Sequence, residues 1–518
     1  MYPITKLIGA ALRIPLTNII GGLGMGYFAV ASSLFAPVYA LTAAALPVVI
    51  MRMVAQNAAA GRYRDVRRVH RAGLFAAFML GAAGSVVMLA IAAPFAEFIA
   101  DSPGSLLPIM IIAPSLLFCS VSAVYKGYYE GLSNMLPTAM SQIIEAVVKA
   151  GVGVTLAVLV LGAGGGASHA AAAAIAGITV SEFAGMVFLW AKSRTGKGSF
   201  SRQELQNSPM PKAKREVLRS FARESLPITV AALAMNLNPF IDMLTIPRLI
   251  TAAGGEGNFV YGSYTGITIP IFAIATTLTA LVCKSALPEI TTAYESKNAP
   301  RLNATLSGLF KGTFVIGMPV CLGIAALAYP ILSLLYFSRP EEVAVSTQPL
   351  LVLSLGAIPL LLAGALFGIF LSIGRADLQV KLMIGGAGIK LVGNYTLIGM
   401  PHVGITGAAI STILCYTFVS IAGLILLNQC LKPLKTSLKP LKIGRHILQP
   451  AFFALKCAGT AYFCYHRVFA ESDALVDWLT VPSGTLRLAM SVAAGGIVYL
   501  GATMFADRKY FREFVRLR

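Results

Sequence analysis

The sequence predicts an all-α polytopic membrane protein with about fourteen transmembrane helices. Three observations predict it. Hydrophobic residues make up 57% of the 518 and charged residues only 12%, whereas a soluble domain is nearer half apolar with about a quarter of its residues charged. Mean hydropathy is +0.77. The apolar residues come in runs of roughly 20 or more, the length that crosses a ~30 Å hydrocarbon core.

The first run, 3–22, starts almost at Met1 and is closed by Gly21, Gly22 and Gly24. It lacks the charged lead-in and A-x-A cleavage pattern of a removed signal peptide. It therefore reads as a span that is partly interfacial or continues from residues upstream. Segments come next at 27–55, 71–99, 106–130, 136–161 and 168–193. Gly162 to Gly166 is glycine-rich, but it lacks the following Lys-Ser/Thr and follows no strand, so it is no phosphate loop. The seventh segment, 224–247, contains Asn236, Asn238, Pro239 and Asp242 and reads as a polar, broken helix. The rest fall at 260–292, 304–336, 346–373, 379–399, 404–428, 447–468 and 484–506. Short loops leave no room for a large soluble domain.

Basic residues set the orientation, because Lys and Arg concentrate in cytoplasmic loops. With the N-terminus inside, the inner loops hold Arg62 to Arg71, the stretch Lys192 to Arg223, Lys297 to Lys311, Arg375 and Lys381, Lys432 to Arg445, and the tail from Arg508. The outer side keeps only Arg248, Arg339, Arg467 and Arg487. Both termini are expected to be cytoplasmic. The net charge of +20 thus reads as topology. The proline-broken basic run 431–445 suits anionic membrane lipids better than nucleic acid. Seven cysteines without a C-x-x-C pair and five scattered histidines suggest neither a disulfide framework nor a metal site. No cofactor is expected, and the protein reads as a monomer.

Two halves echo each other. Phe35 to Ala43 recurs at Phe272 to Ala280, Ala45-Leu46-Pro47 at Ala286-Leu287-Pro288, and Gly73-Leu74-Phe75 at Gly308-Leu309-Phe310. Gly131 and Lys149 find counterparts in Gly374 and Lys390. The repeat divides the chain into an N-terminal lobe (1–193, helices 1–6), a basic cytoplasmic linker (194–223), a C-terminal lobe (224–428) and two added helices with a basic tail (429–518). Transporters built from repeats place substrate between the lobes and rock around it.

Several stretches then suggest a family. Arg13-Ile14-Pro15-Leu16, Ile19-Ile20-Gly21, Gly24-x-Gly26-x-Phe28 and Ala45 to Val48 resemble the first two helices of the stage V sporulation protein B group. Ser122 to Lys149, Asp242 to Arg248 and Tyr261 to Gly266 fit as well. That group is part of the polysaccharide-exporter branch of the multidrug/oligosaccharidyl-lipid/polysaccharide flippase superfamily, which includes the lipid II flippases. The resemblance implies a MATE-like arrangement of two six-helix lobes plus two C-terminal helices. It also implies export of an undecaprenyl-diphosphate-linked glycan precursor, for peptidoglycan or another polysaccharide, across the cytoplasmic membrane. The early arginine of the eighth helix in lipid II flippases has no counterpart between Tyr261 and Ile269.

Charges inside apolar segments carry the remaining information, since each costs at least a few kcal/mol at membrane depth. A diphosphate calls for cations, above all arginine, which can bind it bidentately. Arg13, Arg52, Lys284, Lys390, and Glu145 with Lys149 are the candidate substrate-binding residues. Each has a plainer alternative: snorkelling for Arg52, carboxylate pairing for Arg13 and Lys284, and an intrahelical pair for Glu145 and Lys149, four residues apart. Asp242 either accepts a proton or cation during transport or holds Arg13 or Arg248 in place. Lys126, Glu130, Glu182 and Lys456 read as structural or headgroup-facing.

Two other functions compete. A multidrug or cation antiporter of the same superfamily would need cavity carboxylates. A membrane glycan polymerase or glycosyltransferase would need large outer loops or a carboxylate-rich active-site loop, and it finds neither in this pattern.

Overall fold

A computed structural model describes residues 2–195, 206, 208–209, 213–400, 402–432, 443–468 and 484–506. Most of the basic linker, the basic run at 433–442 and the tail from 507 lie outside the described residues. Among the described residues the chain is almost wholly helical and contains no strand. Ten helices among the described residues are long and apolar enough to cross a membrane, or eleven if one bent pair counts as a single span. Each of the fourteen segments read from sequence falls on helix.

Contacts group the chain into two compact units, Met1–Gly262 and Ser263–Arg518. The first unit begins with α1 (Tyr2–Thr42), which breaks at Gly21. There φ is 70° and ψ 180°, a backbone open only to glycine. α2 (Leu46–Ala59) and α3 (Tyr63–Pro94) come next, and a π turn at Phe95–Ile99 ends α3. Beyond it lie α4 (Leu106–Ile112), α5 (Ser115–Gly131), α6 (Leu136–Gly162) and α7 (Ala167–Thr195). The glycine run after α6 is a helix stop. Gly164 sits at φ +81°, and the Gly165 N–H donates to the Val160 carbonyl at 2.9 Å.

α6 and α7 pack closely because Gly177 faces Gly153, where a Cβ at 177 would meet the Gly153 backbone. Such close approach through small residues is a usual way for membrane helices to associate. α8 (Lys214–Ala252) packs with α1, α2 and α3 in this first unit. The seventh segment was expected to break near Pro239, but α8 runs through Pro227, Pro239 and Pro247 as one helix. Proline's fixed φ is helical, so each ring removes one ladder bond without ending the helix when neighbouring helices support it. α9 (Gly257–Ser263) lies against α1, with Gly26 under the Asn258 carbonyl and Gly262 under that of Gly22.

In the second unit a π turn at Tyr264–Thr268 leads into α10 (Ile269–Glu295). The turn's loosened backbone is tied down by side chains. Ser346 Oγ donates to the Ser263 carbonyl at 3.1 Å and Tyr336 Oη to that of Gly266 at 3.3 Å. α11 (Ala299–Ala326) starts behind Asn298, whose side chain caps the Arg301 N–H at 3.1 Å.

Four segments expected to be continuous are interrupted: in the first unit the second divides between α1 and α2 at 43–45 and the fourth between α4 and α5 at 113–114, and two more divide in the second unit. The ninth divides at Leu327 into α11 and α12 (Ala328–Leu335). The tenth divides at Gly356 into α13 (Pro340–Leu355) and α14 (Ala357–Ser372), bent by 60°. In each of the latter two a proline, Pro330 or Pro359, sits in the first turn of the new helix, where its missing N–H has no intrahelical partner to lose. α15 (Ala376–Leu397) and α16 (Thr406–Leu431) pack together. α17 (Ile443–Phe463) and α18 (Thr485–Ala506) dock on α11, through Ser307 to His446 at 2.8 Å and Tyr499 to the Val315 carbonyl at 2.7 Å. None of the seven cysteines forms a disulfide, and five are buried.

Candidate functional site

The first unit contains two adjoining cavities lined by charged side chains. The larger, 320 Å³, is lined by Arg13 and Leu16 of α1, Phe28, Ser32 and Phe35 further along the same helix, Lys149 of α6, and Glu182 of α7. The smaller, 280 Å³, has Phe35, Tyr39, Cys119, Lys126, Glu145 and Glu182 in its wall. Phe35 and Glu182 belong to both.

Glu145 and Lys149 were expected to pair along α6. They do not. Glu145 meets Lys126 of α5 instead, with its two oxygens 2.9 and 3.1 Å from Nζ. Gly185 of α7 makes room for this pair, since a Cβ there would collide with the Glu145 carboxylate. Lys149 is thereby released to the larger cavity beside Arg13, and no carboxylate among the described residues pairs with it. The smaller cavity's other carboxylate, Glu182, shares its wall with Cys119. Lys126 and Glu182, read from sequence as structural, are thus cavity residues. Their signal was present but weak: each is an ionisable side chain within an apolar run.

Asp242 is buried on α8, 7% exposed. It and Arg13 both lie close enough to the Tyr261 hydroxyl to act on it electrostatically, and that hydroxyl is hydrogen-bonded to Ser33 at 3.2 Å. Arg13, Lys149, Glu145 and Asp242 are therefore gathered in one unit. Arg52 is not part of this group. It is exposed midway along α2, 3.9 Å from Glu224.

The second unit carries the other two candidates. Lys284 is exposed on α10, whereas Lys390 on α15, the counterpart of Lys149, is only 3% exposed. Lys149 opens onto a cavity, and its repeat mate is buried.

The family description "Polysaccharide biosynthesis protein" matches residues 1–294, more than half of the chain. The chain belongs to this family. Among curated relatives, stage V sporulation protein B of Bacillus subtilis (strain 168) is 23% identical over 416 residues, covering 79% of this chain and 78% of that protein. Lipid II flippase MurJ of the same organism is 22% identical over 442 residues, covering 82% and 80%. Two solved structures share the fold. One is lipid II flippase MurJ in an inward closed conformation, with a TM-score of 0.68, 12% identity and 98% of both chains covered. The other is a multidrug resistance MATE family transporter in an inward-facing conformation, also at 0.68, with 17% identity and 83% and 95% covered. This polysaccharide biosynthesis protein is a multi-span membrane protein with the fold of the MATE and MurJ structures.

Proposed function

We propose that the protein flips an undecaprenyl-diphosphate-linked glycan precursor across the cytoplasmic membrane by alternating access, with both termini on the cytoplasmic side. The observation that carries this reading is that Arg13 and Lys149 line one cavity while the nearest acidic side chain of α6, Glu145, is neutralised by Lys126. Two cations in the wall of one space, with the single carboxylate Glu182, suit a diphosphate, which spreads its charge over several oxygens. The names of the two curated relatives point the same way. Lys284, exposed in the second unit, is a further candidate contact. Lys390 is enclosed by its own helices and is left out of the contact set.

Glu182, which lines both cavities, favours a second reading as an exporter of organic cations. Native mass spectrometry of the detergent-purified protein separates the two. The wild type and Arg13→Ala are offered an undecaprenyl-diphosphate glycolipid with an organic cation as competitor. Selective retention of the glycolipid, weakened in the variant, supports the flippase reading. Retention of the cation alone supports the exporter.

A further inference from the structure

The two cavities share a wall. Phe35 and Glu182 line both, so whatever occupies one lies directly beside the occupant of the other. In a diphosphate-linked glycan the terminal phosphate is bonded to the anomeric carbon of the first sugar, with no spacer. If Arg13 and Lys149 hold the diphosphate, the sugar must lie in the adjoining space.

The smaller cavity has the chemistry for it. A pyranose presents an apolar C–H face and a rim of hydroxyls, and small-molecule sites pair apolar walls with a few fixed polar groups. Phe35 and Tyr39, one turn apart on α1, stack with ring centroids 5.8 Å apart and planes inclined by 25°, giving a broad aromatic surface. The Glu182 carboxylate, an acceptor for two or more hydroxyl or amide donors, stands in the same wall. The Lys126–Glu145 ion pair adds both a donor and an acceptor, held in place by each other. At 280 Å³ the space has room for a sugar ring.

We infer that the cavity lined by Phe35, Tyr39, Lys126, Glu145 and Glu182 is a subsite for the first sugar of the glycan. This inference rests on the diphosphate reading of Arg13 and Lys149. It assigns to the protein selectivity for what is attached to the diphosphate as well as for the diphosphate itself.

The test compares two probes: undecaprenyl diphosphate without sugar, and the same lipid bearing N-acetylglucosamine. Retention by native mass spectrometry is measured for the wild type, Tyr39→Leu and Glu182→Gln. Tyr39 lines only the smaller cavity, and Glu182→Gln preserves shape while removing charge. The wild type should prefer the sugar-bearing lipid. Each variant should lose that preference by about tenfold, the effect of one hydrogen bond to a charged group or its equivalent in packing. Retention of the sugarless lipid should stay at the wild-type level in Tyr39→Leu, which also verifies that this variant is folded, while Glu182→Gln, whose side chain also lines the larger cavity, is read by the ratio of the two lipids alone. Equal retention of both lipids by the wild type overturns the subsite, as does an undiminished preference in both variants. Failure of the wild type to retain either lipid is a different result, one that removes the diphosphate reading beneath it.

Discussion

Lys126 and Glu145 are joined by an ion pair across α5 and α6, 2.9 Å from nitrogen to oxygen, although the sequence offers each a partner four residues away on its own helix, Glu130 and Lys149. The cross-helix choice determines which cation faces the larger cavity. The two side chains are only 18% and 15% exposed, so neither charge is well solvated without the other. Lys126→Met alone and Glu145→Leu alone should each destabilise the protein by about 3 kcal/mol, because each leaves a charge unpartnered. The double variant should recover most of that loss. Thermal unfolding in detergent, read as a double-mutant cycle, checks it.

Gly185 gives the same pair a steric signature. Gly185→Leu places atoms where the Glu145 carboxylate lies and should lower stability by about 1–3 kcal/mol. Gly151→Ala, on the α6 helix that carries Glu145, meets nothing within 4 Å and should leave the unfolding midpoint unchanged or slightly raised. Equal losses in both variants would contradict the assigned packing.

The two arginines of α1 and α2 should behave differently in lipid binding. Arg13→Ala and Lys149→Ala are expected to reduce retention of a diphosphate lipid about tenfold or more, since each removes a charge-assisted contact. Arg52→Ala should leave retention intact, because Arg52 lies outside both cavities and its long contact with Glu224 is of the exposed kind that contributes about 0–1 kcal/mol.

Orientation can be read by labelling. Single cysteines are placed at Ala60 and Ala253, both exposed in loops, in a background without the native cysteines. With cytoplasmic termini, Ala253→Cys should react with an impermeant maleimide in intact cells and Ala60→Cys only after permeabilisation. The reverse pattern would invert the assigned topology.

Much of the fold was legible because its signals are local. Apolar run length located the helices, and Gly21 marked the break in α1 because only backbone freedom is needed there. Pro239 misled, since a proline reports a lost hydrogen bond but not whether surrounding helices tolerate the loss. The divisions at Leu327 and Gly356 were missed because hydrophobicity continues across them unchanged. The site was only half legible. Arg13, Glu145 and Lys149 stood out as charges within apolar runs, but spacing along one helix cannot report a partner on another. The rotation of α5 against α6 that brings Lys126 to Glu145, and of α7 that turns Glu182 to the cavities, is a property of packing.

The π turn at Tyr264–Thr268 sets the rotational phase of α10. The widened turn takes in an extra residue, so each side chain of α10 is swung by about 100° from the bearing an unbroken α-helix starting at Gly257 would give it. Lys284 is aimed by that offset. Deleting Thr265 alone would let the turn close into regular helix with the lysine still on its present side of α10, whereas straightening the turn with every residue kept would carry it about 100° round.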